Sequence, residues 1–184
     1  MAKKILMIVG SPRKKGNTQR LAEAFQQGAQ EAGAQVQLVN LAETPVKGCL
    51  DCGGCNKTGR CVQRDGMEAI YEGIQDCDLL VLGTPIFFFT VSAQLKAALD
   101  RLHSYAIAIQ YKFPKKECVL LAVSGDPEVE HMQQVVTYYR TLTGRLGWTD
   151  RGMILATGAK ARGAIEGNIA LEQAVELGRK VAQD

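Results

Sequence analysis

Five short runs rich in β-branched residues recur along this chain: Lys4 to Val9, Gln35 to Asn40, Asp78 to Gly83, Cys118 to Val123, and a fifth near Gly152 to Ala156. Each has the length of a strand and is almost continuously apolar, the pattern of strands covered on both faces in a parallel sheet. Segments of helical period lie between them. Thr18 to Gly33 sets Leu21, Phe25, Ala29 and Ala32 on one stripe and ends at a glycine, and Thr90 to Ser104 does the same with Val91, Leu95, Ala98, Leu99 and Leu102. Glu128 to Leu146 continues the alternation, and Arg162 to Ala182, bearing Ile165, Ile169, Val175 and Val181, closes it.

The repeated strand-helix order predicts an α/β fold: a doubly wound, five-stranded parallel sheet of flavodoxin-like order 2-1-3-4-5, with helices on both faces. With 184 residues, 46% of them hydrophobic, the chain is expected to form one domain over 1–184, carrying a cysteine-rich loop insertion at about 45–66. A formal charge of +3 without a long run of one sign argues against a nucleic-acid partner. The early apolar run ends at Gly10, too soon for a signal-peptide core, and no later stretch approaches the roughly 18 apolar residues of a membrane span. A cytoplasmic protein is expected, so its six cysteines read as ligands, catalysts or core residues before disulfides.

Directly after the first strand stands Gly10-Ser11-Pro12-Arg13-Lys14-Lys15-Gly16-Asn17-Thr18, and a helix follows. Such a junction aims backbone N–H groups and the positive end of a helix at one point, which suits a phosphate. Ser11, Asn17 and Thr18 offer further donors, Gly16 leaves the backbone open, and Arg13 adds a charged fork. The segment is neither a dinucleotide fingerprint nor a Walker loop, which favours a mononucleotide or phosphomonoester. An ordinary strand-to-helix turn, with Asn17 or Thr18 as a cap, is the plainer alternative.

In a parallel sheet the loops after strands 1, 3 and 4 open on one edge, beside the switch point. After strand 3 comes Thr84-Pro85-Ile86-Phe87-Phe88-Phe89, an aromatic group that a short loop does not need for packing. After strand 4 comes Ser124-Gly125-Asp126, small residues that let backbone approach a ligand. Phosphate donors, a flat apolar wall and close backbone donors describe a site for a planar ring with a phosphate tail, and FMN fits that description.

Cys49, Cys52, Cys55 and Cys61 follow a C-x2-C-x2-C-x5-C spacing among Gly48, Gly53, Gly54 and Gly59. This is close to the spacing of bacterial [4Fe-4S] proteins, with a longer last gap and no proline after the last cysteine. Tetrahedral zinc, a C-x2-C thiol relay, and a lid that holds nothing are the other readings. Strand 2 neighbours strand 1 at about 4.8 Å, so the cysteine loop is expected on the flavin edge, within electron-transfer reach of a flavin in the same or a neighbouring subunit. Cys77 and Cys118 border or enter buried strands and read as small core residues. His103 and His131 show no partner at a recognisable spacing, and Tyr138, Tyr139 and Trp148 read as packing or subunit-contact residues.

The 10–18 and 84–89 segments, followed by Ser92-Ala93-Gln94-Leu95-Lys96 and Asp100-Arg101, resemble the NAD(P)H-dependent FMN reductase group, and specifically its iron-sulfur flavoprotein branch. The resemblance spans nearly the whole chain. It implies that Ser11, Arg13, Asn17 and Thr18 hold the FMN phosphate, and that Thr84 to Phe88 and Ser124 to Asp126 hold the isoalloxazine and ribityl. The compact cysteine motif is what sets that branch apart, as ligands of a [4Fe-4S] cluster. Phe87 departs from the group, which commonly carries a tyrosine there. The resemblance further implies a flavin-dependent oxidoreductase, with NAD(P)H as a possible co-substrate or a ferredoxin as donor, and a quinone, oxygen or peroxide as small-molecule acceptor. A homodimer or homotetramer is expected on the same ground.

Overall fold

The computed structural model describes residues 2–183. Its five strands are β1 (Lys4–Val9), β2 (Gln35–Asn40), β3 (Leu79–Pro85), β4 (Glu117–Val123) and β5 (Thr149–Ala156). They form one sheet in the order β2-β1-β3-β4-β5, with every pairing parallel. This is the expected flavodoxin-like arrangement.

Alternate residues of each strand enter different cores. Ile5, Met7 and Val9 face α1 (Asn17–Glu31) and α6 (Ile169–Gln183), together with Leu21, Phe25, Ala174 and Val181. Leu6 and Ile8 face the opposite side, where α3 (Met67–Asp76), α4 (Ala93–Ala108) and α5 (Gln133–Leu146) bring Met67, Ile70, Leu95, Leu99, Val135 and Tyr139. Two-sided burial is why the strands read as continuous apolar runs instead of alternating ones. The thiols of Cys77 and Cys118 are buried in these layers, and burial pushes Cys118 up to about 12, so it stays protonated and inert.

The helix expected over 90–104 runs over Ala93–Ala108, the one expected from 128 begins as α-helix at Gln133, and three further elements differ from the sequence reading. The alternation implies a helix between β2 and β3 without locating it, and α3 fills that place. Its stripe, Met67, Ile70 and Ile74, is only two turns long and follows directly on the cysteine run. β5 begins three residues early, because Thr149, Asp150 and Arg151 lie on an edge strand where exposed polar residues are tolerated. Residues 162–167 are turns, and α6 starts only where the Asn168 side chain accepts from Ala170 N at 2.9 Å.

Candidate flavin site and cysteine segment

The hydrogen-bond ladder continues one residue past the strand ends: Gly10 N donates to Gly83 O, Ile86 N to Val123 O, and Ser124 N to Ala156 O, each at 2.8 Å. Those bonds fix the loops after β1, β3, β4 and β5 against one another at the rim. A cavity of about 250 Å³ opens among them, lined by Ser11, Arg13, Gly16, Asn17, Thr18, Pro85, Ile86, Phe87 and Gly125, and also by Val123, Ala159 and Lys160.

On one side of the cavity, α1 presents its first-turn N–H groups, which have no carbonyl one turn earlier to bond. Ser11 Oγ accepts from Arg13 N at 3.1 Å, shaping the turn that sets Arg13 on the cavity wall. Asn17 lines the cavity, but its side chain is committed elsewhere. Its amide donates to Ala159 O at 2.8 Å and Ala161 O at 2.7 Å, and its carbonyl oxygen accepts from Gly163 N at 2.8 Å. Asn17 therefore braces the loop after β5, a fourth wall that the sequence reading missed. Its signal was the small and basic run Thr157-Gly158-Ala159-Lys160-Ala161-Arg162-Gly163, which lacks helical period. Arg162 donates to the carbonyls of Lys14 and Lys15 at 3.2 Å, joining that loop to the first.

Four expected residues stand off this cavity. Thr84 is fully buried; its hydroxyl donates to Pro85 O at 2.8 Å and accepts from Ser92 N at 3.0 Å, so it seats α4. Ser124 Oγ accepts from Asp126 N at 3.0 Å and shapes the turn. Asp126 points to His131, with Oδ2 2.9 Å from Nδ1. Phe88 is 96% exposed at the tip of a two-residue turn in which Phe87 and Thr90 exchange backbone bonds. Within that turn Phe88 and Phe89 both take positive φ, 46° and 67°. Phe89 meets the His131 ring edge-on at 6.1 Å, which ties the aromatic turn to the loop after β4. The acidic partner of His131 lay five residues back in the chain, hidden by an irregular turn.

The helix α4 connects this rim to the cysteine segment. Ser92 caps it, accepting from Leu95 N at 3.1 Å while donating to Gly10 O at 2.5 Å. The cysteine segment closes where Gly66 N meets Pro45 O at 3.2 Å, and it includes the short helix α2 (Gly54–Thr58) between two left-handed glycines, Gly53 and Gly59. Its anchor is Arg101, nine residues or about 14 Å down α4 from Ser92. The segment thus lies along the flank of α4, where Gly59 approaches Ala108 and His103 joins the lining, and not on the flavin rim itself. Cys49, Cys52, Cys55 and Cys61 all line one small pocket there, with Leu50 and Val62 as apolar walls. Among the described residues all six cysteines are free, and no group of three or more His, Cys, Asp or Glu side chains is arranged to hold a metal ion.

A flavodoxin-like sheet with an open helix start and an apolar wall at its switch point places the chain among the doubly wound α/β proteins. The chain belongs to the NADPH-dependent FMN reductase family, matching it over residues 3–182, and is a flavin-dependent oxidoreductase. Within that family it groups with the iron-sulfur flavoproteins. It is 32% identical over 138 residues to one from Archaeoglobus fulgidus, an overlap of 73% of this chain and 70% of that one. A second from the same organism is 28% identical over 98% of this chain and 79% of its own length. Among solved structures, NAD(P)H:quinone oxidoreductase from Methanothermobacter marburgensis superposes with a TM-score of 0.75 at 18% identity, covering 98% of each chain, a likeness of fold.

Proposed function

We propose that this chain binds FMN at the rim cavity and a [4Fe-4S] cluster through Cys49, Cys52, Cys55 and Cys61, and moves electrons from NAD(P)H or a ferredoxin-like donor to a small acceptor such as a quinone, oxygen or peroxide. Assembly as a homodimer or homotetramer in the cytoplasm belongs to the same proposal. The observation that carries it is the rim cavity, where a helix start and a basic edge face an apolar wall across a gap bounded by small residues.

FMN would supply the one- and two-electron chemistry at this site. The chain's own groups do the rest. The first-turn amides of α1 hold a phosphate, with Arg13 and Lys160 beside it as compensating charges. Ile86 and Phe87 offer an apolar face to a flat ring and keep water from it. Gly125 lets the backbone come close, since a Cβ there would crowd Lys160 at 3.1 Å. Solvent-exposed His131, with its imidazole raised by hydrogen bonding to Asp126, stands on the neighbouring loop as a proton source.

Iron and acid-labile sulfide assays on protein purified without oxygen, combined with NADPH-dependent menadione turnover, test the proposal. About four irons per chain together with turnover supports it. Turnover with less than one iron per chain leaves a cluster-free FMN or quinone reductase with the cysteine segment as a lid. Absence of both turnover and FMN binding points to a zinc-stapled module and contradicts the reading.

A further inference from the structure

Arg101 is 1% exposed, the largest fully buried side chain of the molecule, and it is charged. Every acceptor its guanidinium finds belongs to the cysteine segment. Nη1 donates to Asp65 Oδ2 at 2.5 Å and to Lys47 O at 3.3 Å, while Nη2 donates to Gln63 O at 3.3 Å and to Cys61 Sγ at 3.5 Å. Asp65 in turn accepts from Lys47 N and Met67 N, so the two ends of the segment are pinned to one ion pair. The remaining donor, Nε, is buried without a partner among the described residues. It shares a guanidinium edge with Nη2, the nitrogen that reaches Cys61. A buried cation with an idle donor is costly; an acceptor arriving beside Cys61 would relieve that cost.

We propose that Arg101 is the positioning residue of the cysteine segment: it holds Cys61 against α4 and donates a charged hydrogen bond to the sulfur there, raising the reduction potential of the cluster that sulfur ligates. The proposal rests on the cluster reading above, and its physical basis is that hydrogen bonds to ligand sulfur and local positive charge favour the reduced, more negative state of an iron-sulfur centre. Because α4 also begins at the flavin rim, through Ser92 and Gly10, the same helix sets the cysteines relative to the flavin.

Two variants, Arg101→Lys and Arg101→Met, separate the parts. The first keeps the charge beside Asp65 and loses the planar fork; the second loses both. Flavin fluorescence quenching first establishes that each variant binds FMN and is folded; Asp65→Asn, which leaves the donor to Cys61 in place, serves where Arg101→Met does not fold. In iron-free, FMN-loaded protein, trypsin cleavage at Lys47, Lys57, Arg60 and Arg64 is expected to quicken at least tenfold in both Arg101 variants. In protein purified without oxygen, the cluster midpoint is expected to shift to more negative potential, less in Arg101→Lys than in Arg101→Met. Asp65→Asn is expected to loosen the segment while shifting the midpoint least. Unchanged cleavage overturns the positioning role. Faster cleavage with an unmoved midpoint overturns the contact with the ligand sulfur. Wild-type protein that takes up no iron defeats the cluster reading, while the cleavage result still decides the positioning of the segment.

Discussion

Phe88 and Phe89 occupy a backbone region where a side chain normally costs about 1–2 kcal/mol, and where a two-residue hairpin turn ordinarily uses Asn-Gly. Phe88 gains nothing visible in return within this chain, being 96% exposed. The turn borders the rim cavity through Phe87, and its strain has no packing return within the chain. Phe88→Asn is therefore expected to stabilise the isolated chain by about 1 kcal/mol, a rise of about 2–4 °C in Tm by calorimetry; a lower Tm would show that the ring is buried by something in solution. His131 gives a second test at this scale. Hydrogen bonding to Asp126 raises its imidazole above the ordinary 6.5, while the Glu128 amide first and His131 second depress the Asp126 carboxyl below 3.8. The depressed carboxyl contributes stability above 3.8 that is lost as pH falls through its folded pKa. The raised imidazole contributes below 6.5 and is lost as pH rises through its folded pKa. The contact is thus fully present between those values. An NMR titration should show an elevated His131 midpoint that returns toward 6.5 in Asp126→Asn.

At the scale of elements, α1 and α6 meet backbone to backbone. A Cβ on Gly28 would lie 1.9 Å from Val175 O, and one on Gly178 would lie 2.2 Å from Phe25 O. Gly28→Ala gains about 1 kcal/mol of helix propensity but forces the helices apart, and overpacking of this severity outweighs that gain. A net loss of about 2 kcal/mol is expected, read as a Tm lower by about 4–8 °C. Gly144 in α5 has no atom near its would-be Cβ, so Gly144→Ala should raise Tm instead. These crossings were not legible in the sequence, because a helical glycine looks the same whether it faces solvent or a carbonyl. What was legible were the strands: β1 and β2 fall on the runs that predicted them, since double-sided burial writes itself as unbroken hydrophobicity. α3 and the start of β5 were lost where that signal is short or diluted by polar edge residues.

For the whole molecule, parallel topology is what converts sequence motifs into a site. Nine of the residues singled out for FMN line one cavity because four strand ends share one level. Those that do not line it are Thr84, Ser124 and Asp126, whose side-chain oxygens are spent on nearby backbone and on His131, and Phe88, whose ring projects outward from the tip of its turn. The wall from Ala159 and Lys160 escaped notice because it depends on Asn17 reaching more than 140 positions along the chain, a pairing that no local pattern announces. The cysteine spacing was legible in the sequence but the placement of the segment was not, since its contacts on the flank of α4 run through Arg101, a residue outside the cysteine run. The central claim is that one chain carries a flavin at its rim and an iron-sulfur centre on its α4 flank. A visible absorption spectrum of protein isolated under strict anoxia tests it most directly. The account predicts flavin bands over a broad shoulder that bleaches on adding dithionite and disappears when Cys61 is replaced by serine; a colourless polypeptide that stays colourless with added FMN would contradict it.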